Sequence, residues 1–389
     1  MKFNKNWQKY SLYDLAKWKN GIAFKSTIFS DNTGYPVIKI AELKNGITSQ
    51  TNYTKKEFPK DVYLKYDDLI FSWSGNPETS IDAFLYRLPD GYLNQHSFKV
   101  TANSIINKYF LYYILKYLKP LFKSIARNKQ TTGLGHITIS DLKEIKVGVP
   151  SLNIQNLIIN ILQAIDKKIE LNNQINNNLY KIGNTNFENW LCSCNKEVTI
   201  RDIADEILDY HKNTNDKVKL INSSDITENH FPTFEFVTNK HLKGHFKKRF
   251  KKNDILYSQI RPKNHHFGYV QFEDFEDYIA STRLMVIRNK KERISSSLLY
   301  FYLTSKGAIR DFTTKTESRS GTFPQGNFED LSSYKVKYST NQDKITKLLD
   351  IILYKIYENE NQNNTLEQIR DTLLPNLMNG DIDLSKIDI

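Results

Sequence analysis

Polar, basic and aromatic side chains follow an apolar run at two places in the sequence, and their types suit contact with nucleic-acid bases. Asn and Gln amides can bond to N6 and N7 of adenine, and Lys or Arg can bond to O6 and N7 of guanine. The first cluster follows Leu69-Ile70-Phe71 and consists of Ser72, Trp73 and Asn76. The second follows Ile255-Leu256-Tyr257 and consists of Gln259, Arg261, Lys263, Asn264 and His265.

A later polar segment accompanies each cluster. Each segment lies between a predicted helix and a final predicted strand, so we expect it to form a loop. The four loops are predicted to contact nucleic acid; the alternative is that surface loops diverge in sequence whatever they do. The later segment consists of Lys129, Gln130, Thr131 and Thr132 in the first half of the chain, and of Ser318, Arg319 and Ser320 in the second.

A basic run, Lys247-Lys248-Arg249-Phe250-Lys251-Lys252, precedes the second cluster. It favours contact with the phosphate backbone, which gives affinity without sequence information. We therefore predict that Lys248 and Arg249 bind a nucleic-acid backbone; a solvated basic turn is the alternative. The net charge of +12 also favours a polyanionic partner, although a chain rich in Asn, Ile and Lys gains lysine from AT-rich codons as well.

The elements that must position these loops occur twice in the sequence. Asp68-Leu69-Ile70-Phe71-Ser72 returns 186 residues later, from position 68 to position 254, as Asp254-Ile255-Leu256-Tyr257-Ser258. This period far exceeds the roughly 20–50 residues of solenoid repeats, so the repeated unit is a whole domain. Two similar surfaces on one molecule indicate a protein that recognises a long partner with approximate two-fold symmetry. The other matches are Leu12-Tyr13-Asp14-Leu15-Ala16 with Ile200-Arg201-Asp202-Ile203-Ala204, Leu111-Tyr112-Tyr113 with Leu299-Tyr300-Phe301, and Asp141-Leu142 with Asp330-Leu331.

Each copy is predicted to be a mixed α/β unit with more strand than helix. Runs such as 36–40 and 69–73 are β-branched or aromatic and alternate with turn residues, which is typical of strands. One helix is predicted near residues 106–125, and its counterpart near residues 298–312. The predicted fold class is α+β, with two similar strand-rich domains.

A long amphipathic helix is predicted after each unit. Apolar residues recur at helical spacing over 154–179, after the start signals Pro150 and Ser151, and again over 345–373, before Pro375. Thirty residues of helix span about 45 Å. We expect the two stripes to pair as an antiparallel intramolecular coiled coil with pseudo-two-fold symmetry. The alternative is that each helix packs only on its own domain.

Several function classes find no support in the sequence. No apolar run approaches the roughly 20 residues that cross a bilayer, and the first residues lack the apolar core of a secretory signal. Cys192 and Cys194 are too few for a disulfide framework, which fits a reducing cytoplasm. We therefore expect a cytoplasmic protein that does not associate with membranes.

Catalytic motifs are also missing from the sequence. Methylation of a flipped base would need an Asn/Asp-Pro-Pro-aromatic motif, but Asn76-Pro77 is followed by Glu78. Neither Gly-x-Gly-x-x-Gly nor Gly-x-x-x-x-Gly-Lys occurs, and Cys192 and Cys194 have no second cysteine pair with which to hold a metal. The sequence thus predicts a chain without catalytic residues or cofactors, whose chemistry comes from partner chains.

Three stretches carry a family resemblance. Residues 133–150 run from Gly133-Leu134-Gly135-His136 to Val149-Pro150 and lead into a helix that holds Ala164-Ile165-Asp166-Lys167-Lys168-Ile169. Residues 373–382 form a closing segment, and residues 36–46 an early strand and turn. In their order along the chain, these stretches resemble the specificity subunit of type I restriction-modification enzymes, and the resemblance covers essentially the whole chain. One departure is residues 338–342, where the family usually has a Pro-led junction.

The resemblance implies a division of the chain and a set of partners. Residues 1–150 would form the first target-recognition domain, 151–190 the first spacer helix, 191–338 the second recognition domain, and 339–389 the second spacer helix and tail. Each domain would read one half of a split, asymmetric site in double-stranded DNA. The helices would set the gap and dock two modification subunits, which bind S-adenosylmethionine and methylate adenine N6. Restriction subunits would join for cleavage, with ATP and Mg²⁺.

Two functions of other classes stay open at this point. One is a self-sufficient DNA-modifying enzyme, which the missing cofactor motifs disfavour. The other is a structural adaptor that uses the helices alone and binds DNA without sequence specificity.

Overall fold

The chain divides into two units in its structure, a computed structural model. Unit 1 comprises Met1–Asp166 and Gln368–Ile389, and unit 2 comprises Lys167–Glu367. The structure describes residues 3–4, 6–31, 33–130, 133–210, 214–240, 242, 244–319, 325–382 and 384.

Unit 1 combines short strands with helices, as its alternating apolar runs and turn residues predict. Its strands are β1 (Gln8–Ser11), β2 (Ala16–Asn20), β3 (Tyr35–Ile38), β4 (Tyr53–Thr54), β5 (Tyr63–Leu64), β6 (Leu69–Ser72), β7 (Ser74–Gly75), β8 (Asp82–Leu85), β9 (Gly91–Leu93), β10 (Ser97–Ala102), β11 (Gly135–His136) and β12 (Lys146–Val149). Its helices are α1 (Ile40–Asn45), α2 (Lys108–Tyr117), α3 (Lys119–Asn128), α4 (Ile139–Glu144) and the first part of α5 (Leu152–Cys192).

Unit 2 repeats this plan after α5. Its strands are β13 (Lys196–Thr199), β14 (Ala204–Glu206), β15 (Lys217–Ile221), β16 (Val237–Thr238), β17 (Phe246–Lys248), β18 (Ile255–Ser258), β19 (Phe267–Tyr269), β20 (Tyr278–Ser281), β21 (Leu284–Asn289) and β22 (Lys335–Tyr338). Its helices are the second part of α5, α6 (Ile200–Ile203), α7 (Ser296–Leu303), α8 (Lys306–Glu317), α9 (Phe328–Ser332) and most of α10 (Asp343–Asn379), whose end belongs to unit 1.

The strand order confirms the duplication. One sheet has the order β2-β10-β6-β8 in unit 1 and β14-β21-β18-β19 in unit 2. A second sheet has the order β4-β3-β9-β5 in unit 1 and β16-β15-β20-β17 in unit 2. Within the second sheet β3–β9 and β15–β20 are the equivalent parallel pairs. Separate from these sheets, β1–β12 and β13–β22 form equivalent antiparallel two-stranded ribbons. The fold is therefore the α+β arrangement of two similar strand-rich domains that the sequence predicts.

The repeated Asp-led strand is apolar throughout because it feeds two cores. Leu69 and Phe71 of β6 pack into one core of unit 1, whereas Ile70 packs into another. In unit 2 Ile255 and Tyr257 of β18 likewise belong to a different core from Leu256. Successive side chains of a strand point to opposite faces, so burial on both faces produces a continuous apolar run.

The aspartate that opens this strand has the same surroundings in both units. Asp68 accepts a hydrogen bond from Lys99 Nζ of β10 at 2.7 Å, and Asp254 accepts one from Arg288 Nε of β21 at 2.7 Å. The preceding residue is left-handed in both copies, with φ of 73° at Asp67 and 72° at Asn253. Asp and Asn tolerate this conformation better than most residues.

The helix predicted near residues 106–125 is two helices, α2 and α3, because Pro120 starts a new one. Proline lacks a backbone N–H and fits the first turn of a helix, where that donor has no intrahelical acceptor. Pro120 lies in the first turn of α3. In unit 2 the equivalent break separates α7 from α8, and the Ser305 hydroxyl caps α8 by accepting from the Ala308 N–H.

The long helices α5 and α10 pair with each other and also pack on the domains. Within unit 2, Asn172 of α5 bonds to Asn363 of α10, and Asn176 of α5 bonds to Asn359 of α10. Residue numbers therefore decrease along α10 in the direction in which they increase along α5. Within unit 1, Arg370 donates to Asp166 at 3.1 Å. The two helices are therefore antiparallel, as predicted. Their apolar residues also join the domain cores: Ile158, Leu162, Leu377 and Met378 in unit 1, and Phe187, Leu349 and Leu353 in unit 2.

Helix α10 does not end before Pro375 but continues to Asn379. A proline inside a helix removes one backbone hydrogen bond. Leu377 and Met378, which follow it, are almost fully buried in the core of unit 1. Their burial favours continuation of the helix over the local stop signal. Among the described residues no helix is both long and apolar enough to cross a lipid bilayer.

Candidate nucleic-acid interface

The first polar cluster forms a turn whose inner part is structural. Ser72 is fully buried, and its hydroxyl donates to the Ser80 carbonyl at 2.5 Å. Trp73 donates from Nε1 to Asn20 Oδ1 at 2.9 Å and stacks on Phe98 with a centroid distance of 5.7 Å. Both side chains therefore hold the end of β6 in place, and neither projects freely from the loop.

Asn76 lies at the exposed tip of this turn. Its Oδ1 accepts from the Glu78 N–H at 2.9 Å, and its carbonyl accepts from the Ser80 N–H at 2.8 Å. Arg127 of α3 donates a hydrogen bond to the Glu78 carboxylate, and this bond fixes the turn against α3. The same bond lowers the pKa of Glu78. The turn thus presents the Asn76 side chain at the surface in a defined backbone conformation.

The later segment of the first copy lies next to this turn. Strand β11 pairs with β7, so that Gly135 lies opposite Gly75 and His136 opposite Ser74. Lys129 contacts both carboxylate oxygens of Asp141, and Gln130 is exposed. Thr131 and Thr132, also predicted to contact DNA, lie outside the described residues.

The second copy brings its two polar segments together in the same way. Ile260 forms an antiparallel bridge with Gln325, and Gln325 Nε2 donates to Gln259 Oε1 at 2.7 Å. The Gly326 N–H also donates to the Gln259 carbonyl at 2.8 Å. Gln259 is therefore bound within the domain, at the base of the loop that it starts.

Residues 261–265 form a tight projecting loop, which we call the second reading loop. Arg261 and His265 are both left-handed, with φ of 48° and 54°, and a single 3-10 turn, Pro262–Asn264, separates them. Arg261, Lys263 and Asn264 are exposed. Left-handed residues other than glycine cost conformational energy and concentrate at functional sites.

Carboxylates hold the basic side chains of this region. Lys263 Nζ lies 2.7 Å from a Glu317 carboxylate oxygen, and His265 Nδ1 lies 2.5 Å from Glu228 Oε1. Arg319 donates to Asp330 Oδ1 at 2.7 Å and to the Gln325 carbonyl. Ser318 is exposed but donates to the Lys315 carbonyl, and Ser320 lies outside the described residues.

The basic run is only partly available for phosphate contact. Lys248 is 2% exposed, and its Nζ donates to Glu206 Oε1 at 3.0 Å. A buried ammonium requires such a partner, so the prediction that Lys248 clamps DNA is wrong. Arg249 is half-buried, and Lys247 is exposed.

Glu228, His230 and Gln325 belong to the surroundings of the second reading loop but were not predicted. Glu228 and His230 lie on a turn of left-handed residues more than thirty positions before the loop, where the sequence offers only a polar stretch. Gln325 follows the predicted late segment by a few residues. Cys192 is exposed, and no group of three or more His, Cys, Asp or Glu side chains within the described ranges is arranged to hold a metal ion.

Comparison with known proteins identifies the family. A family model, the type I restriction modification DNA specificity domain, matches residues 4–181 and again 193–368. The type I restriction enzyme HindI specificity subunit of Haemophilus influenzae is 38% identical over 184 residues, which are 46% of this chain and 39% of that protein. The EcoBI specificity subunit of Escherichia coli is 26% identical over 168 residues, 42% of this chain and 33% of that protein.

These alignments span less than half the length of each curated relative. A crystal structure of the type I restriction-modification system S subunit from M. genitalium aligns over 97% of this chain and 98% of that chain, with a TM-score of 0.56 and 18% identity. That likeness concerns the fold. The two family matches fall on the two copies of the repeat and together cover most of the sequence. The chain therefore belongs to the family of type I restriction-modification DNA specificity proteins.

Proposed function

We propose that this chain is the DNA-reading subunit of a type I restriction-modification complex, with each recognition domain reading one half of a split, asymmetric target. One observation carries the proposal. The sheets have the same strand order in both units, while the loops at the same position differ, with Trp73 and Asn76 in one copy and Arg261 and Asn264 in the other. A common framework with different loops suits two half-sites of different sequence.

The loop side chains support base contact in the second domain more strongly than in the first. Arg261 suits guanine and Asn264 suits adenine, and both are exposed on the strained second reading loop. In the first domain Asn76 and Gln130 are exposed. Ser72, Trp73, Lys129 and Gln259 serve by shaping the loops, since each side chain forms hydrogen bonds within its own domain.

The helices are proposed to dock two modification subunits through an outward apolar stripe. On α5 the residues that face α10 include Asn172 and Asn176, which are 1% and 4% exposed. Leu171, Ile175 and Ile182 of the same helix are 44%, 43% and 48% exposed. Polar residues thus face the partner helix and apolar residues face the surface, which is the reverse of the arrangement in an isolated helix pair. Exposed apolar patches of this kind mark interaction surfaces.

The chemistry of the complex is assigned to the partner chains. We propose that the modification subunits bind S-adenosylmethionine and methylate adenine N6, and that restriction subunits use ATP and Mg²⁺ for cleavage, in the cytoplasm. This chain would contribute no catalytic residue and no cofactor site.

The test is a map of N6-methyladenine on DNA after co-expression of this chain with its modification partner. A split, asymmetric motif that disappears without this chain is the expected result. Methylation by the partner that is unaltered by this chain would refute the proposal. If neither sample is methylated, binding of the purified complex to a randomised DNA library decides. Selection of a split motif supports the proposal, and unselective binding refutes it.

A further inference from the structure

The second reading loop rests on an unusual turn, Thr227–His230. The backbone N–H groups of Thr227 and His230 each donate to the other residue's carbonyl. The two central residues, Glu228 and Asn229, have φ of 47° and 70°. Two successive left-handed residues other than glycine are costly, and they persist only where the surroundings fix them.

Hydrogen bonds fix this turn to the end of the reading loop. The Glu228 N–H donates to the His265 carbonyl and the Asn229 N–H to the Phe267 carbonyl, both at 2.9 Å. Buried Asn229 accepts the Tyr269 N–H on its side chain at 2.6 Å. Together with the Glu228–His265 side-chain contact, these bonds hold the turn and the loop together as one structural unit.

The other end of the turn contacts helix α10. His230 Nδ1 lies 2.5 Å from Glu360 Oε2. The second oxygen, Glu360 Oε1, accepts from Asn176 Nδ2 of α5 at 3.0 Å. Asn176 Oδ1 in turn accepts from Asn359 Nδ2 at 2.7 Å. A single carboxylate therefore joins the turn to both spacer helices, and all of these residues belong to unit 2.

The charges suit this link. The hydrogen bond with Glu360 raises the pKa of His230 above its ordinary value, against the opposing effect of burial. The Glu360 side chain is 19% exposed, whereas that of His230 is 54% exposed, so solvent weakens the pair from the histidine side. Charge-assisted hydrogen bonds are about twice as strong as neutral ones.

We propose that His230 and Glu360 are positioning residues that set the second reading loop on the spacer helices and thereby determine selectivity for the second half-site. They act through the Glu228–His265 contact and do not touch DNA. The proposal rests on the proposed function, since it presumes that this loop reads DNA. In this arrangement Glu360, which lies on a spacer helix outside the recognition domain, controls selectivity for one half-site alone.

The test measures methylation by the complex on targets in which each base of either half-site is varied. Glu360→Gln and His230→Gln are each expected to lower discrimination in the second half-site about tenfold. The double variant should lose no more than either single variant, because the two side chains form one link. Discrimination in the first half-site stays unchanged in all three, which also shows that the chain is folded and assembled.

The matched control is Glu188→Gln, which removes a carboxylate from the cleft that His230 and Glu360 also line but not one of the charges that shift the pKa of His230. It should leave both half-sites as in the unaltered chain. The inference is overturned if the His230 and Glu360 variants retain full discrimination, if their losses add, or if both half-sites weaken together. Failure of the proposed function looks different, because the unaltered complex would then show no split motif at all.

Discussion

Lys129 Nζ contacts both carboxylate oxygens of Asp141, at 2.6 and 2.7 Å. Asp141 also accepts from the N–H and the hydroxyl of Thr138, which starts α4. In unit 2 Arg319 donates to one oxygen of Asp330, Oδ1, and the Asn327 N–H at the start of α9 donates to the other, Oδ2. A basic residue after one helix thus anchors the first turn of the next helix in both domains.

Lys129→Met is therefore expected to lower the free energy of unfolding of the chain by about 1 kcal/mol at pH 7, after allowance for the partial exposure of the pair. Urea unfolding measures this. Lys146→Met, at an exposed position on β12, is the control and should change stability much less. Equal effects of the two substitutions would show that the Asp141 contact contributes nothing.

The same contact gives a pH dependence. Burial disfavours ionisation of Asp141, but the hydrogen bonds from Lys129 and Thr138 outweigh it and lower its pKa. Because the folded-state pKa is the lower one, this stabilisation is present above the ordinary pKa near 4 and is lost as the pH falls through the lowered value. The difference in Tm between the unaltered chain and Lys129→Met should shrink over that range.

Arg261 is expected to determine one position of the second half-site. Arg261→Ala should reduce discrimination there by about tenfold, because a bidentate base contact contributes about 1–3 kcal/mol. Methylation of a target library measures this. Arg261→Gly is the control for backbone strain: glycine adopts the left-handed conformation easily, so it should relax the same half-site and be the more stable variant. Loss at both half-sites would exclude this role for Arg261.

The buried asparagines between α5 and α10 are expected to behave as a coupled set. Asn363→Leu leaves the Asn172 amide, which is 1% exposed, without its closest partner, and should lower stability by about 1–3 kcal/mol. In the double variant with Asn172→Leu, the remaining partners Asn173 and Gln362 are exposed to water. Thermal unfolding should therefore return to the original Tm or exceed it, and a larger loss in the double variant would contradict this explanation.

The outward stripe of α5 is expected to bind the modification subunit. Leu171→Gln and Ile175→Gln should each weaken association by about tenfold, as measured by sedimentation or calorimetry with the purified partner. Leu208→Gln is the control, since Leu208 is 62% exposed but lies outside the helices. Unchanged affinity in the stripe variants would remove this surface from the interface.

Helix length is expected to set the gap between half-sites, provided that both helices change together. A seven-residue insertion between Asp166 and Asn172, matched by one between Asn363 and Arg370, adds about 10 Å of helix and should widen the gap by about three base pairs. The methylation motif should keep both half-sites. An insertion in α5 alone would separate Asn172 from Asn363 and should abolish activity; a normal gap in that variant would refute the helices as the ruler.

Local patterns predicted the strands, the long helices and the repeat, because each of these features follows from burial on one or two faces. Pro120 and Pro375 show the limit of prediction from local sequence patterns. The first ends one helix and starts another, whereas the second lies inside α10, since burial of Leu377 and Met378 outweighs a missing hydrogen bond. A proline has the same local preference at both positions, and only tertiary packing distinguishes them.

The candidate site was predictable as loops but not as individual side chains. Lys248 looked like a surface charge until its contact with Glu206, 42 residues away along the chain, placed it in the interior. The link from His265 through Glu228 and His230 to Glu360 spans more than 130 positions and involves residues with no distinctive spacing. Contacts of this range depend on how the sheets and helices pack, which no local pattern encodes.

In each recognition domain the first and last strands form one ribbon, with Gln8 opposite Val149 in unit 1 and Lys196 opposite Tyr338 in unit 2. The polypeptide thus enters and leaves each domain at neighbouring points. A gene segment that encodes one domain can therefore be exchanged by recombination at these two ends without rethreading the rest of the chain. On the proposed function, exchange of one such segment changes one half of the target, while the untouched domain keeps its own half.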